Sequence, residues 1–432
     1  MRKHTIKNSS IWISVLLLFT TVNVFAQETD INNEVVSFTK RELMSGFVFD
    51  VKKEQEELLT DETTFNEEQT LLNAKFRFEN RFWNLLDYKQ EQFNAAFEIG
   101  PFGGFGNWED SSYVEHTVAD QNFYGIRTSA NVTYSNRIYY DAKSYTLLSV
   151  NAWGRYDLYK QNSNGETTDS LGVVGDFDDG KTKDRLRYGL NAKAAWGLGR
   201  LSPMNHLMVA HYLLEKYYPG RVFSDYEIAR FAQVIATLKN NRDLKTKRNV
   251  ENEMAALSGF INGKLMLELP EAMPAEWQFS EFDPRFEGQR VEFGPFFKYY
   301  NQEPDFVYGG YIQYDNSRYK NVKWNRNFSA NLNYNRYKKQ DWMLGEINLG
   351  WTYYAELKNQ FDFGVKYVPG IEINGFEDVG PLSHNLIPYL SYFTQLNSSS
   401  RIKLDFAWRF ADGEQFVLPG PEFSLAIYRS RY

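Results

Sequence analysis

Cysteine is absent from this chain of 432 residues. That absence excludes disulfides, thiolate metal sites and cysteine nucleophiles, and with them a lipoprotein anchor, which needs a cysteine at its cleavage site. An exported chain without disulfides must be held by hydrogen-bonded sheet or by core size. Long apolar runs are scarce too. Beyond Ala26 no stretch approaches the ~20 apolar residues of a spanning helix, and mean hydropathy is only −0.53. Histidine is rare, at five residues, and no HExxH follows any of them. Positive charge is in deficit, with 48 Lys and Arg against 55 Asp and Glu. An acidic balance disfavours nucleic acid as a partner.

The N-terminus carries Arg2, Lys3 and Lys7, an apolar run from Ile11 to Phe19, and Val24-Phe25-Ala26. A basic start, a short apolar core and a small closing residue spell a secretory leader, 1–26, cleaved after Ala26. Loss of those three bases takes the formal charge from −7 to −10.

Elsewhere the dominant pattern has period two. From Arg401 to Phe410 every even position is apolar (Ile402, Leu404, Phe406, Trp408, Phe410), while the odd ones are charged or small. Successive strand side chains face opposite ways, so such a segment has one greasy and one wet wall. Met343–Leu357, Phe361–Ile373, Asn327–Asn335 and Arg185–Trp196 repeat it. Weaker versions lie near 41–52, 71–82, 91–100, 122–137, 143–159, 289–300, 305–315, 384–396 and 421–432. Each reaches the ~10 residues a tilted strand needs to cross a bilayer. Aromatics make up 17% of the chain, as interface girdles require. The fold class expected is an all-β membrane protein, an antiparallel transmembrane barrel of about 14 strands (12–16). It also reconciles the low hydropathy with a membrane, since only alternate residues meet lipid.

Connections near 53–70, 101–121 and 160–182 are long, acidic and Gly-rich and read as outer loops; those near 83–90 and 138–142 are short. Segments 374–383 and 411–420 fit the same phase. From Gly199 to about Gln289 the period becomes helical. Ser202-Pro203 reads as a cap followed by proline at the first helical position, with Leu207, Ala210, Leu214 and Tyr217 on one face. Ser224 and Glu227 form a capping box ahead of Ile228, Phe231, Ala232, Ile235 and Leu238. Val250, Met254, Leu257 and Ile261 mark a third helix. The expected organisation is leader 1–26, first barrel part 27–199, a three-helix insert 200–288 on the periplasmic side or plugging the lumen, and second barrel part 289–432.

The leader, the alternating strands and the terminal aromatic Tyr432 together resemble Gram-negative outer-membrane β-barrel proteins. Tyr428 and Tyr432 fit the C-terminal signal read by the barrel-assembly machinery, whereas Ser424 and Ser430 depart from it. Ala194–Leu198 running through Gly199-Arg200 into helices resembles an uncharacterised group of these barrels with a mid-chain helical insert. The resemblance implies the bacterial outer membrane as location, with its lipid and the assembly machinery as partners. It implies no substrate.

The wet faces gather Arg185, Arg187, Lys193, Glu346, Glu356, Asp362, Lys366, Glu372, Arg401, Lys403, Asp405 and Arg409 as candidate lumen lining, able to line a pore or to pair off. Lys239, Arg242, Lys245, Lys247 and Arg248 cluster between the second and third helices; they read as a solvated face or as a docking patch for an acidic periplasmic partner or cell-wall polymer. Asp176, Asp178 and Asp179 alternate ahead of Gly180 like a calcium loop, but Arg187 stands where the twelfth-position Glu belongs, so a solvated acidic tip is the favoured reading. His206 and His211, five apart, sit off one helical face; His116 and His384 are isolated on outer loops. No enzyme, no cofactor and no resident metal are expected. The leading function expected is a porin-like channel for small polar solutes. The rival is a non-conducting structural or interaction protein whose loops or insert dock partners.

Overall fold

The computed structural model describes residues 37–59, 63–242, 244, 248–338, 340–373, 379–411 and 418–432. The leader, and Lys245 and Lys247 of the basic cluster, lie outside these residues. Sixteen strand segments run β1 (Phe38–Leu59), β2 (Thr63–Leu85), β3 (Lys89–Ser112), β4 (Glu115–Tyr139), β5 (Ser144–Asp169), β6 (Val174–Pro203), β7 (Phe286–Tyr300), β8 (Phe306–Asn321), β9 (Trp324–Arg336), β10 (Asp341–Glu356), β11 (Asn359–Tyr367), β12 (Gly370–Ile373), β13 (Val379–Ser383), β14 (Asn385–Gln395), β15 (Ser400–Ala411) and β16 (Gly420–Arg431). From β1 to β10, and from β14 to β16, each strand pairs antiparallel with the next, and β1 closes on β16 from Leu43↔Arg431 to Lys52↔Glu422.

The barrel has 14 strands, as the alternation predicts. β11 and β12 both pair with β10, at Ile347–Glu356 and Asp341–Leu344, so they are two lengths of one wall strand; β13 and β14, which pair with β12 and β11, are two lengths of the next, and sixteen segments make fourteen strands. The break falls at Val368–Pro369, where proline has no N–H to give the ladder and its carbonyl instead accepts from Gly345 N at 2.8 Å.

Side-chain alternation sorts the two faces. Phe47, Phe97, Leu148, Leu186, Phe293, Ile347 and Leu349 are exposed on the outside of the cylinder. Glu42, Glu79, Arg137, Glu292 and Arg401 are buried within it. On β1 the outward apolar run is Leu43 to Val51, about the length that crosses a hydrocarbon layer at a tilt.

The long outer loops are corrected. Segments 53–70, 101–121 and 160–182 are largely strand: β1 to β6 are 22 to 30 residues long, and their ladders continue through pairs such as His116↔Thr168 and Glu166↔Asp176. Three tall hairpins therefore stand at one end of the cylinder. Both faces are wet there, so the sequence loses its apolar contrast while backbone pairing carries on. Asp176, Asp178 and Asp179 consequently lie on a strand rather than in a metal-cradling loop.

Both ends of the described chain, Ser37 and Tyr432, lie at the opposite end together with the insert. α1 (Asn205–Tyr217), α2 (Asp225–Asn240), α3 (Val250–Phe260), a π turn (Ile261–Leu265) and α4 (Met273–Trp277) make it up. The three predicted helices form, and the short α4 is additional. The Ser224–Glu227 capping box is present in full. Ser202 and Pro203 instead end β6, and α1 starts after Met204; Pro203 pairs with Phe286 on β7, so the ribbon outlasts the predicted boundary. The apolar stripes meet in the molecule's main core: Val209, Leu213, Leu214, Phe231, Ile235, Leu257, Ile261, Met273 and Trp277 are fully buried, each worth about 1.5–3 kcal/mol by transfer. Barrel residues Leu357 and Tyr319 join this cluster.

Candidate functional site

The insert ends in a segment without regular structure, Phe279–Arg285, and this segment occupies the mouth of the cylinder. Side chains that point into the barrel capture its backbone. Gln395 donates to the carbonyls of Phe279 (3.2 Å) and Glu281 (2.7 Å). Arg401 donates to Glu281 O at 3.1 Å, and Lys40 to Phe282 O at 3.3 Å. From within the insert, Lys239 donates to Ser280 O (2.6 Å) and Asn205 to Asp283 O (3.0 Å). Arg81 reaches the Asp283 carboxylate at 3.1 Å. The anchors come from β1, β2, β14 and β15, and Phe282 packs on Tyr354 of β10 at 6.1 Å between ring centroids. Of this run of five carbonyls, three are tied to the wall by β1, β14 and β15, and two are held by the insert's own Lys239 and Asn205.

Beneath this segment lies an ionic network. Lys239, Arg242 and Arg248 bring their charges within 5.0, 5.8 and 6.0 Å of the Trp277 ring centre, and Trp277 Nε1 donates to Glu253 Oε2 at 2.6 Å. Arg242 grips Glu253 with both ends of its guanidinium and also binds Glu281. Burial drives Lys239 down to about 8, against the pull of Glu281. Burial alone would raise Glu281, but Lys239 and Arg242 outweigh it and hold its carboxyl well below the ordinary range. His206, buried against Phe38, is pushed down to about 3 by burial and then by Lys239. The three described members of the docking cluster therefore face inward: the predicted face for a partner is used inside the molecule. Spacing alone hid this, because their acids Glu253 and Glu281 come later in the chain. A cavity of about 330 Å³ lies between Lys40, His206, Lys239, Glu281 and Tyr432.

Arg285 is a separate case. It is 4% exposed, lies 3.5 Å over the Tyr354 ring, and none of its three guanidinium nitrogens has a hydrogen-bond partner among the described residues. Burial lowers its pKa to about 10.

The predicted lumen charges divide into pairs and a residue of bases. Lys366 meets Glu346 at 2.9 Å, Lys403 meets Asp405 at 2.8 Å, and Arg401 meets Glu42 at 2.8 Å. Glu356 pairs with Lys358 at the β10–β11 turn (3.1 Å). Asp362 accepts from Thr352 and Gln360, both at 2.6 Å. Arg409 donates to Lys53 O at 3.0 Å, and Glu372 lies on β12 opposite Trp342. Arg187 shares Asp157 with Arg127 and Arg155, Arg185 donates to Gln302 at 3.2 Å, and Lys193 lies 4.7 Å over the Tyr311 ring. Asp157, Arg127, Arg155 and Lys298 are not marked by the sequence, because the alternation is weak along 122–137, 143–159 and 289–300, where they lie.

Of the histidines, His116 Nδ1 lies 2.6 Å from Ser111 Oγ and its Nε2 3.8 Å from Glu109. Ser111 and His116 are cross-strand partners at an exposed hairpin tip, where register alone brings them together in open water.

A closed antiparallel ladder with an apolar outside and a charged inside satisfies every backbone group without water and is the one sheet architecture that spans a membrane. The chain folds as a closed 14-strand antiparallel β-barrel of the membrane-spanning kind. No protein-family model and no curated protein sequence matches it. Among solved structures it is similar to the translocator domain of the autotransporter NalP from Neisseria meningitidis (TM-score 0.29, 7% identity, 98% of each chain). It is also similar to the TodX deltaS2S3 mutant monoaromatic hydrocarbon channel (0.33, 8%, 90% of each chain). A third is the outer-membrane protease OmpT from Escherichia coli (0.25, 8%, 91% of this chain and 96% of that one). A translocator, a channel and a protease share this likeness, and at such TM-scores it carries no functional reading.

Proposed function

We propose that this protein is a gated passive channel for small polar solutes, its periplasmic mouth closed by the helical insert. One observation carries the reading: Phe279–Arg285 runs across the inside of the mouth, tied by its carbonyls to Lys40, Gln395 and Arg401 of the wall. A segment held by hydrogen bonds to wall side chains can be released without breaking the ladder. In this reading the tall hairpins face the exterior, the insert faces the periplasm, and solutes cross unchanged. A barrel of this size holds water once its lumen is clear.

The test removes the plug and leaves the wall. Pro203 and Phe286 are register partners, so residues 204–285 can be replaced by a short Gly-Ser bridge that closes β6 onto β7 as an ordinary hairpin. Heat-modifiable gel mobility verifies that the barrel folds, and planar bilayers report conductance. The full chain should conduct little and the deletion variant should open a large, steady pore. Near-zero conductance from a folded deletion variant would sink the reading in favour of a non-conducting protein.

A further inference from the structure

Charge inside this barrel balances almost everywhere except on one stretch of wall. Arg77 pairs with Glu79 and Glu98, Lys75 with Asp50 and Glu98, Arg137 with Glu292, and Arg290 with Asp315. On β4 to β7, toward the tall hairpins, the balance fails. Arg127, Arg155 and Arg187 converge on the single carboxylate of Asp157, at 2.7, 2.7 and 3.1 Å. Arg185 and Lys298, on the same face, make no ion pair with an acid among the described residues; they donate only to the amides of Gln302 and Asn335. Adding Glu67, which is bonded to Gln121, still leaves five bases facing two acids.

Register sharpens the point. Arg155 and Arg187 are direct cross-strand partners, and like charges placed opposite each other destabilise a sheet. Arg187 Nε is buried with no hydrogen-bond partner among the described residues. An arrangement built for stability alone would put an acid in one of these places.

Two cavities meet at Arg187. One, of about 310 Å³, is walled by Phe102, Phe123 and Tyr159 beside the arginines. The other, of about 790 Å³, is walled by Trp153, Tyr300, Tyr337 and Lys298, with Glu303 and the Lys338–Asp305 ion pair also on its lining. Gly189 makes room for Trp153, since a Cβ there would touch the indole at 2.9 Å. Planar guanidinium groups bind carboxylates with two parallel hydrogen bonds, and aromatic walls take the flat or cyclic body of a small molecule.

We infer that this wall is a binding site for small organic carboxylates carrying a ring, held by Arg155, Arg187 and Lys298 against Trp153 and Tyr300. As the selectivity element of a channel the site rests on the reading above; binding itself does not require conduction. A carboxylate there adds a second negative charge to the single one, Asp157, that Arg127, Arg155 and Arg187 share.

The experiment is a calorimetric titration of the folded full chain in detergent with benzoate and with glucuronate, benzamide serving as the uncharged control. Both acids should bind at least tenfold more tightly than benzamide, and the tighter of the two says whether the body recognised is aromatic or a sugar. Arg187→Gln should weaken the acids at least tenfold while leaving the unfolding midpoint unchanged or higher, because it removes a like-charge contact. Lys298→Gln lies outside the Asp157 cluster and repeats the test should Arg187→Gln fail to fold. Benzoate and glucuronate binding no better than benzamide, or unaltered in a folded Lys298→Gln or Arg187→Gln variant, overturns the inference. A conductance result from the plug deletion leaves this titration untouched, so the two readings fail separately.

Discussion

Lys239 and Glu281 form an ion pair 3.2 Å long in which each side chain is 7% exposed, and it joins the last turn of α2 to the Phe279–Arg285 segment. Its neighbour His206 shares the enclosure, with Nε2 3.3 Å from Asn240 and Nδ1 unpartnered among the described residues.

These groups make docking of the insert sensitive to acid. A freed His206 takes up a proton below about 6.5, whereas the buried one resists until about 3. The released state thus binds more protons across that window, and stability falls as pH drops through it. Protonation of Glu281, with its pKa held low, adds to the loss below 4.5. Lys239 acts in another window: between about 8 and 10.5 the freed lysine keeps a proton that the buried one has shed, so docking strengthens as pH rises there. From pH 7 to 5 the insert should lose roughly 2 kcal/mol, seen as faster amide exchange in α1 and α2 after correction for intrinsic rates. His206→Gln should flatten that dependence; an unaltered slope would remove His206 as its cause.

Arg401→Leu leaves Glu42, which is 0% exposed, with Lys40 as its remaining partner. Removing one partner of a buried ion pair costs up to about 3–5 kcal/mol, and the remaining Lys40 contact holds the loss toward the lower figure. The urea midpoint of the folded barrel, followed by gel mobility, should fall accordingly. The double variant with Glu42→Met should be less damaged than the sum of the two singles.

Leu349 is exposed on the outer wall and pairs with Phe328 and Val365. Leu349→Arg places a charge against lipid and should cost ~2–4 kcal/mol. Asn348→Arg, facing the lumen, loses one 3.3 Å hydrogen bond from Tyr389 and should cost about 1 kcal/mol. Equal costs, measured by refolding yield into lipid vesicles, would mean that the faces have been assigned the wrong way round.

Tyr145 is fully buried, lies over Gly197 of the next strand, and donates to Glu292 Oε2 at 3.0 Å. A Cβ at residue 197 would run into the ring, so Gly197→Val should lower stability by about 1–3 kcal/mol through overpacking. Tyr145→Phe keeps the ring and removes one donor from Glu292, at a cost of about 1–2 kcal/mol. If Gly197→Val is the milder of the two, the ring-on-glycine contact is not what fixes this part of the wall.

Much of the wall was legible because lipid imposes a period. Ile402, Leu404, Phe406, Trp408 and Phe410 read as one face and form one face of β15. The amphipathic stripes of α2 and α3 were equally plain, since Phe231, Ile235 and Leu257 had to be buried somewhere. The tall hairpins were not legible: around Asn162–Glu166 and Asp176–Gly180 both faces are wet, and the ladder is held by backbone bonds that any residue supplies. The plug was invisible for a related reason. Phe279–Arg285 is recognised through its carbonyls, which every residue type shares. The charge surplus near Arg187 depends on Arg155 standing opposite it, a relation of register between segments that local alternation cannot fix.

The barrel seam joins β1 to β16, the first and last strands of the described chain. The Arg401–Glu42 pair bridges across β16 from β15 to β1, and Lys40 holds the plug from the β1 side while Arg401 holds it from β15. The helices are synthesised long before β14 and β15, and their local contacts let them fold early. Their moorings on β1 and β2, Lys40 and Arg81, precede them in the chain, but Gln395 and Arg401 come last. On the reading proposed above, the mouth is fully held only once β14 and β15 have joined the wall.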